Sequence, residues 1–196
     1  MDPAATPPRN EPVHTYAPGS AERIALRYAL DTMEATAPHP IRQHIAGDGD
    51  AGGGEPLQIR APHRHELVLG QAMQATAADV GRAADAALAA WRSWSATAFE
   101  SRAAVFLRAA DLLAGPWRDR INAATMLGQS KTVHQAEIDA ACELIDFWRW
   151  NVHFAARLQE EQPVSPPGQW NRLEHRPLEG FVLAITPFNF TSIAGN

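Results

Sequence analysis

The most informative stretch of the sequence is GFVLAITPFNF, residues 180–190. Its run from Phe181 to Ile185 is apolar without a break, and such a run predicts a β-strand covered on both faces, as in a parallel sheet. In open α/β sheets, ligands bind where strands end at their carboxyl side. The segment TPFNF, residues 186–190, occupies that place. The stretch therefore predicts an α/β protein with a binding site at the end of this strand.

Three side chains of TPFNF suit such a site. Pro187 fixes the backbone, Thr186 offers a hydroxyl, and Asn189 offers an amide that can donate a hydrogen bond to a developing oxyanion. The competing interpretation is a turn that contains proline and is capped by an asparagine. The pattern alone does not choose between the two.

Most of the chain before this stretch has helical periodicity, because its apolar residues recur at intervals of three and four. The predicted helices run from Glu22 towards Pro38, from Thr76 through Trp94, from Glu100 to Leu113, from Trp117 to Met126 and from Thr132 to Glu161. Two short strands are predicted at residues 57–60 and 66–69. The proline-rich residues 1–20 predict an extended arm, and residues 47–56 a flexible turn.

Composition excludes several classes of function. The net charge is −5 and Lys131 is the only lysine, so no basic cluster is available for nucleic acid or an anionic membrane. The apolar run at residues 181–185 is far shorter than the roughly 20 residues that span a bilayer. The single cysteine, Cys142, cannot form an internal disulfide, and no targeting segment is recognisable at the start. A reducing, cytoplasmic setting is therefore the default expectation.

Metal and phosphate motifs are weak. Gly47, Gly49 and Gly52 fit G-x-G-x-x-G, but no strand precedes them and no helix can follow, so a surface loop is favoured. His63 and His65 have no third ligand at a suitable spacing, and no metal is predicted. Cys142 lies beside the apolar side of a predicted helix with acidic neighbours, which indicates a packing thiol rather than a nucleophile.

Glu137 stands on the face of the longest predicted helix that should be buried, four residues after Val133. A carboxylate in that position is costly unless another group pairs with it. One interpretation is an ion pair with Lys131 or a distant arginine, and the other is a carboxylate that reaches a pocket at the start of the helix. Spacing alone favours the first.

Three segments resemble a known family. They are GQSKTVHQAEIDAACELIDFWRWN at residues 128–151, RPLEGFVLAITPFNFTSIAGN at 176–196 and NEPVHTYAPGSAER at 10–23. Together they are similar to the 1-pyrroline-5-carboxylate dehydrogenase branch of the aldehyde dehydrogenase superfamily. Phe-Asn-Phe-Thr at the strand end, with GQSKT upstream, is typical of this branch, and the likeness covers nearly the whole chain.

The resemblance implies the NAD-dependent oxidation of L-glutamate γ-semialdehyde to L-glutamate by a cysteine nucleophile, and it shifts the balance for Glu137 towards the substrate pocket. Asn189 would then be the oxyanion donor, Phe190 and Glu137 would border the aldehyde pocket, and Ile185, Thr186, Pro187 and Phe188 would line the NAD site. No metal, nucleic acid or membrane partner is implied.

The resemblance also divides the chain. Residues 1–20 would be an arm, 21–161 the helical part of the NAD-binding domain, 162–177 a β-arm for homo-oligomers, and 178–196 the first strand and loop of a Rossmann-like core. The family's nucleophilic Cys and general-base Glu fall beyond Asn196, so we expect an inactive N-terminal fragment. A rival hypothesis is a self-standing helical interaction module that uses the apolar face of residues 132–158.

Overall fold

The structure is a computed structural model that describes residues 6–50 and 52–195. The helices are α1 (Ala21–Ala35), α2 (Ala77–Ala96), α3 (Phe99–Ala114), α4 (Arg118–Gln129), α5 (Val133–Ala136) and α6 (Glu143–Glu160). A π-helical segment, Glu137–Cys142, joins α5 to α6, and a 3-10 helix covers Ile193–Gly195. The strands are β1 (His39–Ile41), β2 (Gln43–Ile45), β3 (Asp48–Asp50), β4 (Pro56–Ala61) and β5 (Arg64–Met73). The predicted helices are thus confirmed, with ends shifted by a few residues.

Capping side chains explain where the helices begin. The Ser20 hydroxyl accepts a hydrogen bond from the backbone N–H of Arg23 at the start of α1. Thr76 and Asp79 form a reciprocal capping box at α2, and Thr132 does the same with Gln135 at α5. These caps satisfy N–H groups that have no partner inside the helix.

The longest predicted helix contains an irregularity that its periodicity does not reveal. Residues 137–142 are π-helical, and the backbone N–H of Glu143 donates to the carbonyl of Ile138, five residues back. A π segment holds an extra residue per turn, so it rotates the side chains that follow it relative to a continuous α-helix. Glu137, Ala140, Ala141 and Cys142 of this segment are buried.

The strands form two small sheets among the described residues. One has the order β1-β5-β4, in which β4 and β5 are antiparallel and β1 runs parallel to β5. This confirms the two strands predicted at residues 57–60 and 66–69. The other sheet is the hairpin of β2 and β3, so part of the predicted flexible turn is ordered. Gly47 closes that hairpin with a positive φ of 90°, a conformation that favours glycine.

The buried core lies between helices. One cluster consists of Ala110 and Leu113 from α3 with Ala141, Leu144 and Ile145 from the π segment and α6. A second cluster joins Tyr16 of the N-terminal arm to Leu26 and Ala123. Small alanine side chains let the helix backbones approach closely, so the arm and the helices form one packed layer.

The stretch from Phe181 to Ile185 differs from its prediction as a covered strand. Its side chains are exposed, Ile185 by 89%, and within the described part of the chain no strand pairs with it. A β-strand needs a hydrogen-bonded neighbour and a packed face, and an apolar run supplies only the second requirement. The stretch therefore has no regular secondary structure in this chain. None of the described helices is long and apolar enough to cross a membrane.

Candidate active site

The loop that carries Asn189 lies beside α4 and the π segment. Residues that follow Asn189 in the chain contact both elements. The hydroxyls of Thr191 and Thr125 are 2.7 Å apart, and the Ser192 hydroxyl donates to the carbonyl of Ala140 at 3.5 Å. Ile193 is buried just beyond them. The loop is therefore fixed on its carboxyl side, whereas the apolar residues on its amino side are exposed.

Asn189 forms part of a turn with Phe188, and its side chain is exposed. An exposed carboxamide next to an anchored segment can donate a hydrogen bond to an oxygen that carries developing charge. The geometry thus satisfies the accessibility that the sequence prediction requires of Asn189.

Phe190 is the first residue of the loop that is partly covered. The Lys131 ammonium lies 4.4 Å from the centroid of its ring, within the range of a cation–π interaction. The same ammonium is 2.5 Å from a carboxylate oxygen of Asp139 on the π segment. Phe190 therefore sits between the exposed Asn189 and a charged pair on the helical layer.

The four residues predicted at a cofactor site, Ile185, Thr186, Pro187 and Phe188, are all exposed. Phe188 is 96% exposed. Together they present apolar side chains and one hydroxyl on an accessible surface. Their part in a cofactor site stays a prediction.

Glu137 lies at the start of the π segment and is completely buried. One carboxylate oxygen accepts from Arg118 Nη2 at 2.5 Å and from the backbone N–H of His14 at 2.8 Å. The other accepts from the Tyr16 hydroxyl at 2.7 Å and from Asn122 Nδ2 at 2.8 Å. The carboxylate thus joins the N-terminal arm to α4, and its partner is a distant arginine rather than Lys131.

Two further ion pairs extend this network. Arg118 Nη1 lies 2.6 Å from one oxygen of Glu11, and Arg149 Nη1 lies 2.6 Å from the other. The backbone N–H of Glu11 also donates to Asp146 of α6 at 2.7 Å. Residues 11–16 of the arm are therefore bound to α4, to the π segment and to α6 by charged groups. We call this set of contacts the arm network.

The electrostatics of the arm network follow from its burial. Burial raises the pKa of Glu137, but hydrogen bonds from Arg118, His14 and Tyr16 outweigh it and lower the pKa to about 2. Burial and the neighbouring Glu137 carboxylate raise the pKa of the Cys142 thiol to about 12. Cys142 is therefore protonated at neutral pH, which fits the predicted packing thiol.

Sequence reasoning missed Arg118, Tyr16 and Asn122 as members of this network. A signal existed in α4, where Arg118 and Asn122 are four residues apart and share one helix face. The contribution of Tyr16 carried no such signal, because it depends on a contact across 121 residues.

The weak motifs fit their structural interpretations. Gly47, Gly49 and Gly52 belong to the β2–β3 hairpin and the turn after it, and no helix opens there. His63 Nδ1 contacts the Ser130 hydroxyl at 2.8 Å. Within residues 6–50 and 52–195, no group of three or more His, Cys, Asp or Glu side chains is placed to hold a metal ion.

Comparison with known proteins gives the class. Residues 50–194 match the model of the aldehyde dehydrogenase family, and the chain belongs to that family. This membership favours an enzyme over the rival interaction module. It also agrees with the helical layer and small sheet that the structure describes.

Curated relatives point to one branch of the family. The chain is 48% identical over 188 residues to a mitochondrial delta-1-pyrroline-5-carboxylate dehydrogenase of Emericella nidulans, which covers 95% of this chain and 32% of that protein. A mitochondrial delta-1-pyrroline-5-carboxylate dehydrogenase of Homo sapiens is 43% identical over 187 residues, 95% of this chain and 33% of that protein. The chain thus spans about a third of the length of the curated relatives it matches.

A solved structure gives the same result. The crystal structure of the delta-pyrroline-5-carboxylate dehydrogenase from Mycobacterium tuberculosis bound with NAD is similar with a TM-score of 0.94 and 58% identity. The match covers 100% of this chain and 37% of that one. The chain is therefore similar in fold to part of that enzyme.

Proposed function

We propose that the protein containing this chain oxidises L-glutamate γ-semialdehyde to L-glutamate with NAD as the electron acceptor. The observation that carries the proposal is an exposed Asn189 at the end of an apolar stretch, on a loop anchored to the helical layer. The similarity to delta-1-pyrroline-5-carboxylate dehydrogenases supports the choice of aldehyde.

In this proposal Asn189 stabilises charge that develops on the aldehyde oxygen. Its side-chain N–H donates to the oxyanion that forms when a nucleophile adds to the carbonyl carbon. Donors of this kind are worth about 2.7 to 4 kcal/mol in the transition state. The amide stays neutral throughout, so it needs no proton exchange during the reaction.

NAD, when bound, accepts the hydride that leaves the substrate carbon. Ile185, Thr186, Pro187 and Phe188 offer exposed apolar faces and one hydroxyl, a chemistry that fits the ring faces and hydroxyls of a dinucleotide. These residues fit one side of such a cofactor. No described residue of the glycine-rich segment 47–52 begins a helix, and Asp48–Asp50 form β3, so we assign no phosphate contact to it.

Phe190 and Glu137 are proposed to border the aldehyde pocket. Phe190 contributes an apolar ring next to the oxyanion donor. Glu137 lies in the helical layer, where any attraction to the substrate's amino group competes with the hydrogen bonds from Arg118 and Tyr16. Its influence on the substrate would therefore be electrostatic and specific for the amino group.

We also propose that residues 162–177 contact a second subunit. The segment turns back on itself, and the Gln162 side chain accepts a hydrogen bond from the backbone N–H of Leu173 at 2.9 Å. Val164 and Trp170 are exposed on it, and exposed apolar residues of this kind favour association. Sedimentation of Trp170→Ser should show a smaller assembly than the unmodified protein, and unchanged sedimentation would exclude this role.

The compartment we propose is the cytoplasm, where the free Cys142 thiol would stay reduced. Several relatives carry the word mitochondrial in their names. Fractionation of cells that make the protein from its own gene would decide between the two locations.

The direct test of function is NADH formation by the protein as its gene encodes it. We expect turnover of L-glutamate γ-semialdehyde at a higher kcat/KM than glutaric semialdehyde, which lacks the amino group. Glu137→Gln should raise KM for the first substrate more than for the second. An equal effect on both aldehydes would assign Glu137 to the arm network alone, and the absence of NADH formation would refute the proposed function.

A further inference from the structure

Lys131 has no part in the function proposed above, although its position in the fold is closely defined. It lies in the connection between α4 and α5, after Ser130, whose backbone is left-handed with φ +56°, and before Thr132, the cap of α5. The Thr132 backbone N–H donates to the Gln135 side chain at 2.9 Å. This short, capped connection fixes the direction in which the lysine side chain leaves the backbone.

The end of the Lys131 side chain is held between two groups. Its ammonium is 2.5 Å from Asp139 Oδ2 and 4.4 Å from the centroid of the Phe190 ring. The side chains of Lys131 and Asp139 are only 15% and 25% exposed. A cation–π contact strengthens as water is excluded from it, so this pair is better placed than an exposed one.

Phe190 is also the first of three consecutive loop residues with a contact on the helical layer. Thr191 contacts Thr125 of α4, and Ser192 donates to Ala140 of the π segment. Phe190 contacts Lys131 and directly follows Asn189. Of these three contacts, the one with Lys131 is made by the residue that directly follows Asn189 in the chain.

We infer that Lys131 is a positioning residue, whose ammonium is anchored on Asp139 and holds the Phe190 ring so that Asn189 points its amide at the aldehyde oxygen. We call the contacts of Lys131 with Asp139 and Phe190 the clamp. Its effect on turnover rests on the proposed function, but the clamp itself is a set of contacts that exists whether or not the enzyme turns over. It acts through Phe190 and does not touch the substrate. A displacement of the loop would move the oxyanion donor, and small displacements of such groups cost large factors in rate.

The test compares Lys131→Met with Lys131→Arg in the protein as its gene encodes it. Methionine keeps an unbranched side chain of similar length but removes the charge, whereas arginine keeps a cation that stacks on an aromatic ring. We expect kcat to fall about tenfold in Lys131→Met, KM for NAD to stay within about twofold, and Lys131→Arg to recover most of kcat. Asp139→Asn should also lower kcat, but by a smaller factor than Lys131→Met does.

A readout independent of activity is hydrogen exchange at the backbone amides of residues 188–192. Loss of the clamp should speed exchange there about tenfold in Lys131→Met and leave it nearly unchanged in Lys131→Arg. Arg82→Met is the matched control, because it also replaces a cation by methionine and removes another close ion pair, the one with Asp79 in the first turn of α2. Unchanged exchange and unchanged kcat in Lys131→Met would overturn the inference.

A variant pair separates the clamp from a general loss of folding. In a Phe190→Leu background the ring is absent, so adding Lys131→Met should have little further effect on exchange. Full additivity of the two substitutions would also overturn the inference. If the unmodified protein forms no NADH from L-glutamate γ-semialdehyde, the proposed function fails, while the exchange measurements still decide whether the clamp exists.

Discussion

The arm network and the stretch at residues 181–188 invert the usual relation between polarity and burial. Glu137 and Arg118 are charged and only 0% and 3% exposed, whereas Ile185 and Phe188 are apolar and 89% and 96% exposed. The charged groups are buried because each supplies the hydrogen bonds that another needs. The apolar residues are exposed because nothing among the described residues packs on them. In these two regions, whether a side chain is buried depends more on the hydrogen-bonding or packing partners available to it than on its polarity.

The difference has a functional consequence. The arm network ties the N-terminal arm to the helical layer, and the loop that carries Asn189 contacts the same layer through residues 190–192. The exposed stretch before the loop presents the surface that we assign to NAD. In this account the buried network supports the loop, and the exposed stretch contacts the ligand.

The largest effect on stability should come from breaking the arm network at Arg118. Arg118→Met leaves the completely buried Glu137 without its cation, while Glu11 keeps only its pair with Arg149, and removing one partner of a buried pair costs about 3 to 5 kcal/mol. The free energy of unfolding from urea titration measures the loss. Arg176→Met, which removes an exposed pair with Glu179, is the control and should change it by less than about 0.5 kcal/mol. Similar losses in both variants would mean that the network does not anchor the arm.

Acid should destabilise the arm network through Glu137. Its pKa is lowered from 4.5 to about 2 in the folded protein, so its stabilisation is complete above about pH 4.5 and is lost as pH falls towards 2. The amount is on the order of 3 kcal/mol. Unfolding free energies measured across this range should fall more steeply for the unmodified protein than for Glu137→Gln.

The comparison with Glu137→Gln removes the contribution of other carboxylates. Asp79 also has a lowered pKa, because it accepts hydrogen bonds from Thr76 and Gly53, and it titrates in both proteins. The difference between the two pH profiles therefore belongs to Glu137. Parallel profiles would show that its carboxylate contributes no net stability.

Sequence alone was sufficient for elements that depend on neighbouring residues. The helix starts near Glu22, Thr76 and Thr132 were predicted from local periodicity, and the structure places them within two residues, with the caps at Ser20, Thr76 and Thr132. The π segment could not be predicted from the sequence, because an extra residue in one turn leaves the apolar pattern almost intact. The prediction of a covered strand at residues 181–185 was wrong for this chain, because hydrophobicity shows that a segment needs packing neighbours but not that the chain supplies them.

A smaller effect should come from the α2 cap. Thr76→Ala removes the hydroxyl that accepts from the Asp79 backbone N–H and donates to its carboxylate, which should cost about 1 kcal/mol. Thermal unfolding provides the measurement, with Thr97→Ala at the other end of α2 as control. A cost as large as that of Arg118→Met would contradict the view that the arm network dominates.

The smallest effect should come from the exposed stretch. Leu183→Ser should change the unfolding free energy of the 196-residue chain by less than about 0.5 kcal/mol, because the side chain is 75% exposed. The same change in the protein as its gene encodes it should cost more if further strands cover the stretch. Equal costs in the two proteins would show that this surface stays open.

The candidate site was predictable to different degrees. Asn189 and its neighbours follow from a compact motif, so their place in the chain could be assigned at once. The partners of Glu137 could not be assigned, because Tyr16 and His14 reach it from more than 120 residues away. For the same reason, the contact between Lys131 and Phe190 emerged only from the structure.

The most direct test of the account is the turnover of Asn189→Ala with L-glutamate γ-semialdehyde and NAD. We predict that kcat falls by about 10² or more, while the Kd for NAD stays within about threefold, because the amide acts on the oxyanion and not on the cofactor. Thr191→Ser, which keeps the hydroxyl that meets Thr125, should retain near-normal kcat as a control for the loop. An Asn189→Ala enzyme with unchanged kcat would contradict the central claim.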